Sequence, residues 1–215
     1  PESFYTKHGI SRLHSCDHFD PKSVGEGDVI FVKTDFIVNG YFNKNVLPYL
    51  NKKFSLITGI SSYQLGRDDA GAVSEILANK NLNKLFCVHP PAIEDDRIVP
   101  LPIGFEEKER DGGNQNVINF HYHMKKKFSL KKSKVLLPYH TLSTNPERSN
   151  LISLLSQLPF VEIQKEKLSF TDYLSLLNDY KFVICLEGSG PDLHRNYEAL
   201  LVDSIPINIK NVISN

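Results

Sequence analysis

Short apolar runs recur along this chain, each closed within a few residues by Gly, Pro or Asp and separated from the next by helical spacing. The clearest are Val29-Ile30-Phe31-Val32, Phe54-Ser55-Leu56-Ile57-Thr58, Lys84-Leu85-Phe86-Cys87-Val88, Lys134-Val135-Leu136-Leu137-Pro138 and Phe182-Val183-Ile184-Cys185-Leu186. Runs of this kind suit strands buried inside a parallel sheet. Helical patterns fall at about residues 42–50, 72–79 and 146–158, and Ser169 caps a further helix with Tyr173, Leu176, Leu177 and Tyr180 on its apolar face. Val161-Glu162-Ile163 reads as a short strand, and residues 98–103, with Pro100 and Pro102, as an edge strand or extended segment. Strands separated by helices imply parallel sheets joined by right-handed crossovers.

The series is interrupted once. Residues 111–116 turn to Gly and Asn, and residues 125–134 are strongly basic. The expected organisation is α/β, in two Rossmann-like halves comprising residues 1–124 and 125–215. A length of 215 residues with 40% hydrophobic content is enough for two small cores.

Residues 181–207 carry the most chemical information. The last apolar run breaks at Gly188-Ser189-Gly190-Pro191, where glycine permits close backbone approach to a ligand. Asp192 is placed to cap the helix that follows, which bears His194, Arg195 and Glu198 before Ala199, Leu200, Leu201 and Val202. A spacing of three puts Arg195 and Glu198 on one face, at the carboxyl edge of the sheet where open α/β folds bind ligands. Backbone N–H groups, a helix start and an arginine suit a diphosphate. A nearby carboxylate suits ribose hydroxyls. The pattern points to a nucleotide.

The same residues resemble the C-terminal motif of exostosin-like glycosyltransferases (family 47 and related viral and algal enzymes). The matching elements are the apolar strand, the glycine loop, Arg195-Asn196-Tyr197-Glu198-Ala199-Leu200 and Ser204-Ile205-Pro206-Ile207. Looser similarity runs in the same order through residues 28–35, 54–59 and 98–104, and through Asn145-Pro146-Glu147-Arg148. The resemblance implies a two-domain B-type glycosyltransferase whose second half holds a nucleotide sugar, such as a UDP-sugar. It implies transfer of the sugar, with inversion, to a hydroxyl of a glycan or glycoprotein acceptor. Family members continue past the Ile-Pro-Ile segment with another strand and helix, whereas this sequence ends at Asn215, so a truncated or reduced second half is expected.

Donor-binding candidates follow from this. Arg195 is expected on phosphate and Glu198 on ribose. Glu187 ends a strand at its carboxyl side, and either faces the donor or satisfies loop donors. Gly188, Ser189 and Gly190 form the loop itself. His194 either touches phosphate or donor sugar or is an ordinary cap-region histidine. Arg148 follows Asn145 and Pro146, which suit the start of a helix. It is either a second cation for the diphosphate or a surface arginine. Inverting transfer needs a group to take the acceptor's proton. Asp35, at the end of the first strand, is the first catalytic candidate, and Asp69, in Asp68-Asp69, is the second.

No metal and no separate cofactor is expected. His121-Tyr122-His123 lacks partners to complete a ligand set, and neither Asp68-Asp69 nor Asp95-Asp96 forms an Asp-x-Asp motif. With 25 basic and 25 acidic residues, net charge gives no case for nucleic acid. No apolar run approaches a membrane span and no secretory signal is visible, although a leader or anchor upstream of Pro1 stays open. Cys16, Cys87 and Cys185 are widely spaced and odd in number, which favours reduced thiols and a cytoplasmic setting. The rival to an enzyme is a catalytically inactive module of a larger protein that holds nucleotide or glycan.

Overall fold

A computed structural model describes residues 10–13, 19–143 and 145–209, the first segment by its backbone alone. The chain forms two compact units, residues 1–102 and 103–215. The division falls ahead of the expected 124/125 boundary because residues 103–124 belong with the second unit. Asn114, within the Gly/Asn stretch, accepts from the N–H groups of Asn116 and Val117 and so starts a helix, Gln115–His123, that the sequence reading passed over.

The first unit is built on five parallel strands: β1 (Ile10–Leu13), β2 (Asp28–Lys33), β3 (Phe54–Gly59), β4 (Leu82–Cys87) and β5 (Ile98–Pro100), ordered β1-β2-β3-β4-β5. Each expected strand is present, and the proline-bearing β5 lies at the edge as anticipated. Helices α1 (Thr34–Val38), α2 (Tyr41–Asn45) and α3 (Ala72–Ala78) accompany it. The helix expected over residues 42–50 is divided, because Pro48 turns the chain into a 3₁₀ segment, Leu47–Tyr49. Ile30, Val32, Phe42, Phe54, Leu56, Ile76 and Leu85 form the buried core.

The second unit contains β6 (Lys132–Leu137), β7 (Val161–Ile163), β8 (Tyr180–Ile184) and β9 (Ile205–Ile207), all parallel and ordered β7-β6-β8-β9. Its helices are α4 (Gln115–His123), α5 (Glu147–Leu155), α6 (Phe170–Leu177) and α7 (His194–Leu201). Neighbouring strand residues divide between two cores, as a period of two requires. Leu136 and Val183 pack with Leu174, Leu177 and Ala199, while Leu137 and Ile184 pack with Leu151, Ile152 and Leu155. Ser169 caps α6 as anticipated, its hydroxyl accepting from Asp172 N at 3.1 Å.

Buried Lys131 fixes the lower end of this sheet. Its Nζ donates to the carbonyls of Asn178 (2.9 Å) and Val202 (2.7 Å), the residues that close α6 and α7. The rest of the basic stretch is largely paired on the surface, Lys125 with Asp203, Lys126 with Asp179, and Lys132 and Lys134 with Glu162. Cys87 and Cys185 are free and buried, and burial pushes both thiols up to about 12. Cys16 lies outside the described residues. Among the described residues no helix is long and apolar enough to cross a membrane.

Candidate nucleotide site

The order β7-β6-β8-β9 creates a divergence in the second sheet. The chain leaving β6 passes through α5 to β7 on one side, and the chain leaving β8 passes through α7 to β9 on the other. Adjacent strands whose exits part in this way leave a crevice at their carboxyl ends, the general ligand position of open α/β sheets.

Two buried side chains tie the diverging loops together. His140, in the loop after β6, has Nδ1 2.6 Å from the Pro138 carbonyl, and its Nε2 accepts from Leu186 N at 3.3 Å. A carbonyl can only accept and an amide N–H can only donate, so the tautomer is fixed with the proton on Nδ1. Burial, followed by the charges of Arg195 and Arg148, brings the His140 pKa down to about 3, so the ring is neutral. Arg148 spreads its fork over three carbonyls. Nε donates to Glu187 O (2.7 Å), Nη1 to Thr141 O (2.6 Å) and Nη2 to Leu186 O (2.9 Å). Asn145, just before α5, adds a bond from Nδ2 to Glu187 O (3.3 Å) and accepts from Glu147 N (3.0 Å), close to its expected capping role.

Above this latch lies a cavity of about 780 Å³, within the range typical of small-molecule sites. Arg148, Gly188, Ser189, Arg195 and Glu198 line it, so five of the expected donor-binding residues meet at one place. Arg195 donates from Nε to the Tyr173 hydroxyl (3.0 Å) and from Nη2 to Tyr139 O (2.9 Å), and its guanidinium lies 5.7 Å from the Tyr173 ring centroid. The Tyr173 hydroxyl and the Glu198 carboxylate share this wall and act on each other electrostatically. Glu198 is only 8% exposed. Burial raises its pKa against the opposing pull of Arg195, Tyr173 and His194. A Cβ at Gly188 would stand 3.1 Å from Arg148 Nη2, so glycine lets the loop lie directly on the arginine. Among the described residues the Gly188 N–H and Arg195 Nη1 have no hydrogen-bond partner, which leaves two donors unspent on the cavity wall.

The other expected residues sit elsewhere. Glu187 contributes its carbonyl to the Arg148 fork, and neither it, Gly190 nor His194 lines the cavity. His194 Nδ1 pairs with Gly104 O at 2.8 Å. Asp192 does not act as the N-cap of α7, which is Leu193. Its buried carboxylate instead accepts from Ile103 N (2.8 Å), Tyr197 Oη (2.7 Å) and Leu193 N (2.9 Å), fastening α7 to the segment at residues 103–104.

Both catalytic candidates belong to the first unit. Asp69 is 3% exposed and spent on its own turn, accepting from Gly66 N (2.5 Å) and Gly71 N (2.9 Å). Asp35 lies in the first turn of α1, with Lys33 Nζ 3.3 Å away. Tyr173, Tyr139, His140 and Glu106 were not anticipated as site residues. The hydroxyl of Tyr173 on an otherwise apolar helix face was the available signal, since a buried phenol needs a partner. Among the described residues no group of three or more His, Cys, Asp or Glu side chains is arranged to hold a metal ion. No protein-family model matches the sequence, and no curated protein matches it significantly.

Proposed function

We propose that the second unit binds a nucleotide sugar and that the protein is a glycosyltransferase of the two-domain B type, which moves a monosaccharide, with inversion, to a glycan hydroxyl. The observation that carries the reading is the meeting of Arg195, the Gly188 N–H and Glu198 on one cavity at the divergence of β6 and β8. A diphosphate accepts hydrogen bonds and carries negative charge, so it matches the unspent donors of Arg195 and Gly188. Arg148 and Arg195 bring two cations to this wall, and the Glu198 carboxylate beside them suits ribose hydroxyls. The resemblance of residues 181–207 to the exostosin-like motif supports the same assignment and favours a UDP-sugar as donor.

In this reading Arg195 receives charge as the diphosphate departs, and Tyr173 holds Arg195 in place. Preorganised donors of this kind stabilise a leaving group without reorganisation, and two arginines supply the charge that a divalent cation supplies in other transferases. Transfer therefore persists in excess chelator.

One observation favours a second reading, a module that binds nucleotide or glycan without turnover. Asp69, an expected base, has its carboxylate committed to backbone N–H groups. Incubating the protein with radiolabelled nucleotide sugars and a glycan acceptor panel separates the two. Label in the acceptor supports the transferase. Tight nucleotide binding without release of the sugar from any donor supports the module.

A further inference from the structure

The cavity wall contains a carboxylate suited to proton transfer. Glu106 lies on residues 103–113, and the start of that segment is fastened to the α7 region through Asp192 and His194. After Glu106 the chain doubles back, with Arg110 N on Glu107 O (2.9 Å) and Gly113 N on Arg110 O (3.0 Å). This fold is tight enough to require glycine. A Cβ at Gly113 would stand 2.0 Å from Glu107 O, in the backbone itself, whereas one at Gly112 would stand 2.7 Å from Glu106 Oε2, the movable end of a side chain. The Glu106 carboxylate therefore lies over Gly112, in space that a side chain there would contest. Glu106 is half-buried and makes no hydrogen bond or ion pair among the described residues. It is near enough to Glu198 for its charge to be felt there. The other carboxylates of the wall differ: Glu198 is buried on α7 beside Arg195, while Glu109, Asp111 and Glu166 are exposed.

We propose that Glu106 is the catalytic base of the sugar transfer proposed above, on which this assignment rests. Its carboxylate takes the proton of the acceptor hydroxyl as that oxygen bonds to the anomeric carbon. The bond from the anomeric carbon to the diphosphate oxygen breaks, and its electron pair leaves with the diphosphate toward Arg195. Glu106 ends protonated and returns the proton to water. Gly113 lets the backbone double back beside the base, and Gly112 leaves room for its carboxylate.

The test measures transfer and UDP affinity for wild type, Glu106→Gln, Gly112→Ala and Asp35→Asn. Glu106→Gln lowers kcat by about 10²–10⁴-fold, the usual contribution of a general base, with UDP affinity unchanged. The acid limb of the wild-type pH–kcat profile disappears with it. Gly112→Ala, which displaces the carboxylate, lowers kcat in the same direction with UDP still bound. Wild-type turnover in Glu106→Gln, or a large loss in Asp35→Asn instead, overturns the assignment while leaving the transferase reading intact. A wild-type protein that binds UDP but releases no sugar from any donor overturns both.

Discussion

His140 and Arg148 hold opposite sides of one residue: His140 Nε2 accepts the N–H of Leu186 at 3.3 Å, and Arg148 Nη2 donates to its carbonyl at 2.9 Å. Leu186 is thereby fixed where the chain leaves the sheet, two residues before the glycine that faces the cavity. Sequence-distant side chains from the β6 exit thus set the conformation of the β8 exit.

Arg148→Met leaves the Thr141 and Leu186 carbonyls without this donor and Glu187 O with Asn145 Nδ2 alone. A buried unsatisfied polar group costs about 1–3 kcal/mol, so two of them put the loss on the order of 2 kcal/mol or more, read as a lower urea midpoint. Arg148→Lys recovers little of it, because an ammonium cannot reproduce the planar fork. Full stability in Arg148→Met would show that the latch is incidental.

Arg195→Ala separates binding from folding. Its bonds to Tyr173 and Tyr139 are partly exposed, so thermal stability falls modestly. A charge-assisted bond to phosphate is worth about 1.5–3 kcal/mol, which corresponds to a loss of nucleotide affinity of about 10–150-fold. Titration with UDP measures it. Unchanged affinity assigns Arg195 to a purely structural role.

Glu198 makes stability depend on pH. Its folded pKa is raised, chiefly by burial. The folded state therefore holds the proton more tightly than the unfolded chain, and stability falls as pH rises from the ordinary carboxylate range through the raised value. Above that window the buried charge costs its full amount. Glu198→Gln accordingly unfolds at a higher temperature than wild type at neutral pH, with the gap closing as pH drops toward the unfolded carboxylate pKa. The same variant binds nucleotide more weakly. A Glu198→Gln protein less stable than wild type at neutral pH contradicts this.

Asp69→Asn affects folding rather than chemistry. The substitution weakens charge-assisted bonds to Gly66 N and Gly71 N, at about 1–3 kcal/mol in total. Differential scanning calorimetry detects it as a lower transition for the first unit. A large kcat loss with unaltered stability would return Asp69 to the list of bases.

The sheets were legible because buried parallel strands leave short apolar runs, and Val29 to Val32, Phe54 to Thr58 and Phe182 to Ile184 all lie in them. Helix α4 was not, since QNVINFHYH buries only Ile118 and His121 and so shows little amphipathic pattern. Arg195, Glu198 and Gly188 were legible because one local strand–loop–helix unit carries them. Their partners come from elsewhere in the chain. Tyr173 lies on α6 and looks like a core aromatic, while His140 and Arg148 become latch residues only when β6 pairs with β8. Glu106 depends on a turn whose need for Gly113 appears only in three dimensions.

The crystal structure of the protein with UDP tests the central claim most directly. The account predicts the diphosphate against the Gly188 N–H and the Arg195 guanidinium, with the ribose hydroxyls on Glu198 and Arg148 still gripping the Leu186 and Glu187 carbonyls. UDP bound elsewhere, with Arg195 contacting only Tyr173 and Tyr139, would contradict it.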